Sequence, residues 1–289
     1  MLWKKGRRSD NVVDARGGGG GGGVRLGGGL SLGAVVLIVG FGLLTGQDPL
    51  QLLEQLAGQG STSAPSQGRA APPAGDQQAD FVRAVLGDTE DTWQTLFQQG
   101  GRQYQAPKLV LFNGRVGSAC GQASSAVGPF YCPGDRQVYL DMDFFREMRE
   151  RFNAAGEFAE AYVIAHEVGH HVQTLLGITQ KVDAARRQGQ RLEGAGGLLV
   201  RQELQADCLA GVWANHAEQR LHWLEPGDVE NALRAANAIG DDRLQQQGQG
   251  RVVPDSFTHG TSAQRVKWFK AGFANGRLEG CDTFAARAL

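Results

Sequence analysis

His166-Glu167-Val168-Gly169-His170 is the stretch that decides how this chain is read. Two histidines four residues apart share one face of a helix, and neutral imidazoles so placed can both bind one tetrahedral zinc ion. Glu167, beside the first of them, can take the proton of a water held at the open zinc position, whose pKa the metal lowers toward ~7. The surroundings predict a helix: Phe158, Tyr162, Ala165, Val168, Val172 and Leu176 recur at helical spacing from Glu157 to Leu176, and Gly177 follows as a stop. That apolar stripe buries the helix and turns its histidines into the protein. His171 lies about 100° round from His170, so it cannot join the same pair and takes a supporting polar role.

A catalytic zinc needs a third protein ligand, and Glu203-Leu204-Gln205-Ala206-Asp207 supplies the best candidate, within a helix expected from about Leu199 to Glu218. Glu203 and Asp207 share a helical face. Glu203 can then bind the metal while Asp207, one turn on, accepts the free N–H of a ligand histidine and fixes its tautomer. His216 and His222 are rival third ligands, but they flank the end of this helix and lack a matching partner.

With these residues in place, the sequence resembles a family. HEVGHHVQ followed by ELQADCLAGVW, and later FTHGTSAQRVKWF, is similar to the bacterial putative neutral zinc metallopeptidases from about Asp80 to the C-terminus. More distantly, HExxH with ExxxD resembles the HtpX-like and CAAX-prenyl-protease gluzincins. The resemblance implies a zincin-like peptidase with His166, His170 and Glu203 as ligands, Glu167 as base and Asp207 supporting a ligand histidine. The distant group also carries a His and an Arg six residues apart after the third-ligand helix, matched here by His259 and Arg265, although Gly260 stands where a proline usually follows that His. The residues themselves predict a loop and then a helix from about Ser262 to Phe273, with Thr261 or Ser262 as N-cap. His259, just before that helix, could donate a hydrogen bond to the oxyanion of a tetrahedral intermediate. Arg265 could do the same or pair with a carboxylate.

Leu26–Leu44 is an uncharged 19-residue stretch, long enough to span a ~30 Å hydrocarbon core despite six glycines. Lys4, Lys5, Arg7, Arg8, Arg16 and Arg25 precede it, so the positive-inside rule puts the N-terminus in the cytoplasm and the rest outside. A cleaved signal peptide competes, but no A-x-A site follows Leu44. The expected organisation is a basic, Gly-rich cytoplasmic tail (1–25), a transmembrane anchor (26–46), a flexible Gly/Ser/Pro/Gln-rich linker (47–78) and one zinc metallopeptidase domain (79–289). The glycine run Gly17–Gly23 lacks the Gly-Lys-Ser/Thr ending of a phosphate loop.

Cysteine use agrees with an exported domain, since Cys120, Cys132, Cys208 and Cys281 all follow the apolar stretch and make an even number. Cys120 and Cys132 bracket a short Gly/Ser/Pro-rich loop and form a plausible local disulfide. Cys208 with Cys281 would then tie the third-ligand helix to the C-terminal tail, with two other pairings open. Phe81 to Phe97 predicts one helix, or two with Gly87 as the break, Lys108–Phe112 and Gln137–Asp141 the best strands, and Met142 to Asn153 a helix capped by Asp141. The fold expected is α+β, mainly helical, a small sheet packed on the zinc helix, preceded by one transmembrane helix. A net charge of −1, with no basic stripe or aromatic RNA-binding signature, gives no argument for nucleic acid. The function expected is a membrane-anchored, zinc-dependent endopeptidase acting on a peptide or protein; the alternatives are a catalytically silent zinc-containing envelope binding or assembly protein, or a metal-dependent amidase. No stretch reports cleavage preference or oligomeric state.

Overall fold

The computed structural model describes residues 1–16, 71–124, 128–151 and 156–289. The expected anchor at 26–46 lies outside them, as does most of the linker. Among the described residues, no helix is long and apolar enough to cross a membrane.

The chain opens with a single 3-10 turn (Trp3–Lys5) and strand β1 (Val12–Asp14) and, after the segment 17–70, helix α1 (Gln77–Gln99). Strands β2 (Lys108–Phe112), β3 (Arg115–Ser118), β4 (Gly121–Ser124), β5 (Phe130–Cys132) and β6 (Gln137–Asp141) follow, and then helices α2 (Met142–Arg151), α3 (Glu157–Leu175) and α4 (Ile178–Arg187). Helices α5 (Leu198–Leu221), α6 (Asp228–Ala238), α7 (Asp241–Gln249) and α8 (Ser262–Asn275) complete the fold. The result is α+β and mainly helical, as the periodicity predicts.

The main sheet has the order β1-β2-β6-β5, with β1, β2 and β6 parallel and β5 antiparallel on its edge. Both strands expected from the sequence form with the expected bounds and pair Leu109 with Val138 and Leu111 with Leu140, all four buried. Burial of both faces explains why Lys108–Phe112 reads as an apolar run rather than an alternation. The hairpin β3–β4 stands apart and is tied to β5 by the Cys120–Cys132 disulfide.

Helix α3 is the centre of the core. Phe158, Tyr162, Ala165, Val168 and Val172 are all at most 1% exposed, and the helix packs against α1, α5 and α6. It ends where the sequence says, with Leu176 as C-cap and Gly177 in the left-handed region at φ 79°. Helix α8 lies along α5 and starts at a capping box between Thr261 and Gln264.

One expectation is corrected, and one open alternative is decided. Met1–Arg16 is not a tail separate from the domain: it belongs to one compact unit with Ala70–Leu289, contributes β1 to the sheet, and buries Trp3, Ser9 and Val12. Gly87 does not break the first helix, because α1 runs through it. A Cβ at Gly87 would meet the Arg7 carbonyl oxygen at 2.7 Å and the Ser9 nitrogen at 3.1 Å, so the residue is small to let the segment before β1 lie on the helix.

Candidate metal centre

The sequence stripe that buries α3 leaves His166 and His170 on its flank toward α5, and α5 presents Glu203 and Asp207 back to them. The helices can approach this closely because the residue between the histidines is Gly169: a Cβ there would sit 3.0 Å from the Ala206 carbonyl oxygen and 3.2 Å from its Cα. One atom each of His166, His170 and Glu203 lies within 4.8 Å of the others, the geometry of one shared ion. His166 Nε2 is 3.2 Å from Glu203 Oε2, and His170 Nε2 is 3.4 Å from Glu203 Oε1.

The donor chemistry fits zinc, and so does what lies behind each ligand. His166 Nδ1 donates to Asp207 Oδ1 at 2.9 Å, and His170 Nδ1 donates to Gln173 Oε1 at 2.9 Å. Each contact holds its ring in the tautomer that leaves Nε2 as the free lone pair. Asp207 is held in turn: Arg265 grips it with Nε and Nη2, both at 2.9 Å, and the Tyr162 hydroxyl donates to Oδ1. Gln173 is fixed by donating to the Gln202 carbonyl at 2.7 Å and the Gln205 side chain at 3.0 Å.

The electrostatics call for a cation at this point. Burial works against charge on His166, yet Asp207 and Glu203 carry its pKa up to about 10, and Glu203 raises His170 against the same burial. Burial opposes the Glu203 carboxylate too, but His170 and His166 hold it well below the ordinary range. Protons on the imidazoles and a divalent ion are alternatives, since metal ligation requires neutral rings.

Glu167 is 8% exposed and close enough for its charge to be felt at His170. His259 sits half-exposed at the rim, its charge coupled to Glu203. Asp241 positions it: Oδ2 accepts the backbone N–H groups of Thr258, His259 and Gly260 at 2.7, 2.6 and 3.0 Å, while His259 Nδ1 lies 3.3 Å from Oδ1. Arg265 is 2% exposed and paired with Asp207, which resolves its open role toward carboxylate pairing. His216 bonds the Gly276 carbonyl and His222 is an exposed helix cap, so neither rival joins the site. His171 bonds Gln105 O at 2.6 Å and Tyr131 at 3.1 Å, away from the ligand set as its angle predicts.

Sequence reasoning missed Tyr162, Gln173 and Asp241. Tyr162 was visible only as an apolar position of the stripe, Gln173 carries an i, i+3 relation to His170, and Asp241 has no local signal because it reaches His259 across a loop. The second disulfide, Cys208–Cys281, joins α5 to the C-terminal segment just behind Glu203 and Asp207.

A family model described as putative neutral zinc metallopeptidase matches residues 1–284. The chain is 50% identical over 298 residues to the uncharacterized protein YpfJ of Escherichia coli (strain K12), covering 98% of this chain and 99% of that one. It is also 50% identical over 196 residues to the uncharacterized protein Mb2605 of Mycobacterium bovis, covering 64% of this chain and 65% of that one. No solved structure matches it.

Proposed function

The chain belongs to the putative neutral zinc metallopeptidase family, and from that premise we propose that it is a zinc-dependent endopeptidase. The observation that carries the reading is the convergence of His166, His170 and Glu203 within 4.8 Å, with each ligand histidine held through Nδ1 by an oxygen acceptor. Zinc held there by His166, His170 and Glu203 would supply Lewis acidity toward a peptide carbonyl and would lower the pKa of a water. Glu167 accepts the proton of the attacking water and passes it to the leaving amine. His259, aimed by Asp241, donates a hydrogen bond to the oxyanion as it develops. Burial opposes the Asp207 carboxylate, but Arg265 and His166 hold it ionised as the acceptor for His166, and the Tyr162 hydroxyl donates to the same group.

The same inference includes membrane attachment through residues 26–46 and a domain working outside the cytoplasm. Two disulfides support the second point, since such bonds persist in oxidising compartments.

The test is Glu167→Gln assayed beside the parent chain on an unfolded protein and a peptide library. We expect about one zinc per chain in both and cleavage lowered at least ~10²-fold in the variant, the range for a positioned general base. Cleavage retained by Glu167→Gln sinks the assignment. Bound zinc in a parent chain that cleaves no peptide points to the binding-protein or amidase readings.

A further inference from the structure

The stretch Leu26–Leu44 suggests a chain that crosses a bilayer once, with Met1–Arg16 on one side and the domain on the other. The fold is incompatible with that arrangement. Val12–Asp14 pairs in parallel with Leu109–Leu111, and the ladder is extended by Leu109 N–H to Asn11 O at 2.9 Å and Ala15 N–H to Leu111 O at 2.8 Å. Arg8 grips Asp80 through two bonds of 2.8 Å, and Trp3, 6% exposed, donates to Glu157 at 2.8 Å from the start of the zinc helix.

The docking also satisfies a buried charge. Glu90 on α1 is 8% exposed and accepts from Ser9 at 2.6 Å, Arg7 at 2.7 Å and Asn11 at 2.8 Å. With Met1–Arg16 elsewhere, that carboxylate would lose these donors, and buried charges left unpaired are strongly destabilising. The two ends of the intervening segment are also pinned together. Arg16 reaches Asp76 at 2.6 Å, and Asp76 is the N-cap of α1.

We propose that Met1–Arg16 and the zinc-site domain occupy one compartment, the chain making no net crossing of a bilayer between Arg16 and Ala70. An even number of crossings is required, and two helical crossings need ~40 apolar residues. Leu26–Leu44 is 19 residues long and only twelve of them are apolar, too few for two crossings, and a single crossing would part Met1–Arg16 from its partners. The inference bears on the attachment reading above and is independent of the peptidase chemistry.

The experiment uses the full chain with one added thiol, since all four native cysteines are in disulfides. Asp10→Cys, at a side chain 98% exposed, reports the amino-terminal segment, and Arg287→Cys, also exposed, reports the domain. Fractionation first shows whether the chain is membrane-attached. A membrane-impermeant maleimide is then applied to vesicles of right-side-out and inverted orientation, with detergent-opened vesicles setting full labelling. We expect both thiols to react from the same side, and they must also do so if the protein proves soluble. Labelling of Asp10→Cys and Arg287→Cys from opposite sides overturns the proposal, whether or not the protein is a peptidase.

Discussion

The candidate metal centre and the amino-terminal strand are both parts of one fold, yet one is announced by five consecutive residues and the other by none. His166 and His170 interact at i, i+4, so helical geometry alone brings them together. Val12 and Leu109 are joined only through a parallel pairing across most of a hundred residues, and nothing in either strand names its partner. Local periodicity is written in the sequence; long-range docking is written in complementary charge and shape.

The sharpest way to break this comparison is at the metal. His170→Ala removes one of the three proposed ligands, and we expect cleavage at background level with zinc no longer retained through dialysis. Acid should act in the same direction on the parent chain, because protons compete for the imidazoles that Asp207 and Glu203 favour in charged form. Zinc content measured across decreasing pH checks this. Retention of zinc by His170→Ala would mean that the cluster is not the binding site.

A second test addresses what lies behind the ligands. Asp207 is fully buried and serves His166, Arg265 and Tyr162 together. Asp207→Ala should lower stability by about 3–5 kcal/mol, because Arg265 is left as a buried unpaired charge. Asp207→Asn keeps the shape and should weaken zinc binding about 10–100-fold, the range for partners of ligand histidines. Denaturant titration of the first and metal competition on the second separate the two effects.

How much was legible follows from the same contrast. The convergence of His166, His170 and Glu203, the contact of Asp207 with His166, both disulfides and the strands Lys108–Phe112 and Gln137–Asp141 are set by spacing, periodicity or cysteine position. Met1–Arg16 was read as a tail because its arginines look like a positive-inside signal. In the fold Arg7, Arg8 and Arg16 find Glu90, Asp91, Asp80, Asp14 and Asp76. The charges fit both readings, and only tertiary partners distinguish them. Gly87 admits two readings for a similar reason: a glycine in a helix signals either weakness or close approach, and the approaching segment is remote in sequence.

Trp3→Ala tests whether the amino-terminal segment carries the weight of a core element. A buried aromatic truncated to alanine costs about 3–5 kcal/mol, whereas a residue in a detached tail costs close to nothing. We expect a loss in that first range by thermal or denaturant unfolding, with Phe81 losing its edge-on ring contact at 5.5 Å. An unchanged transition would return Met1–Arg16 to the status of a tail and remove the basis for placing it in the same compartment as the domain.

The smallest effect expected, and the finest test of the comparison, is at the point where the two regions are clasped. Asp14 and Asp76 both face Arg16. Bonding to Arg16 lowers the pKa of Asp14; for Asp76 burial opposes the charge, but the Ala79 N–H and Arg16 outweigh it. Both folded-state values therefore lie below those of the unfolded chain, so the native form binds fewer protons in acid. Their contribution is complete above the ordinary aspartate range and is lost as the pH falls through it toward the depressed folded values. Asp76→Asn keeps the N-cap but removes the charge that Arg16 meets, and exposed ion pairs contribute about 0.2–1 kcal/mol. The variant should lose that amount near neutral pH and show a shallower decline in stability on acidification than the parent. A decline of equal slope in both proteins would mean that Arg16 and Asp76 do not clasp the ends of the segment between them, although the strand pairing of Val12–Asp14 could stand without it.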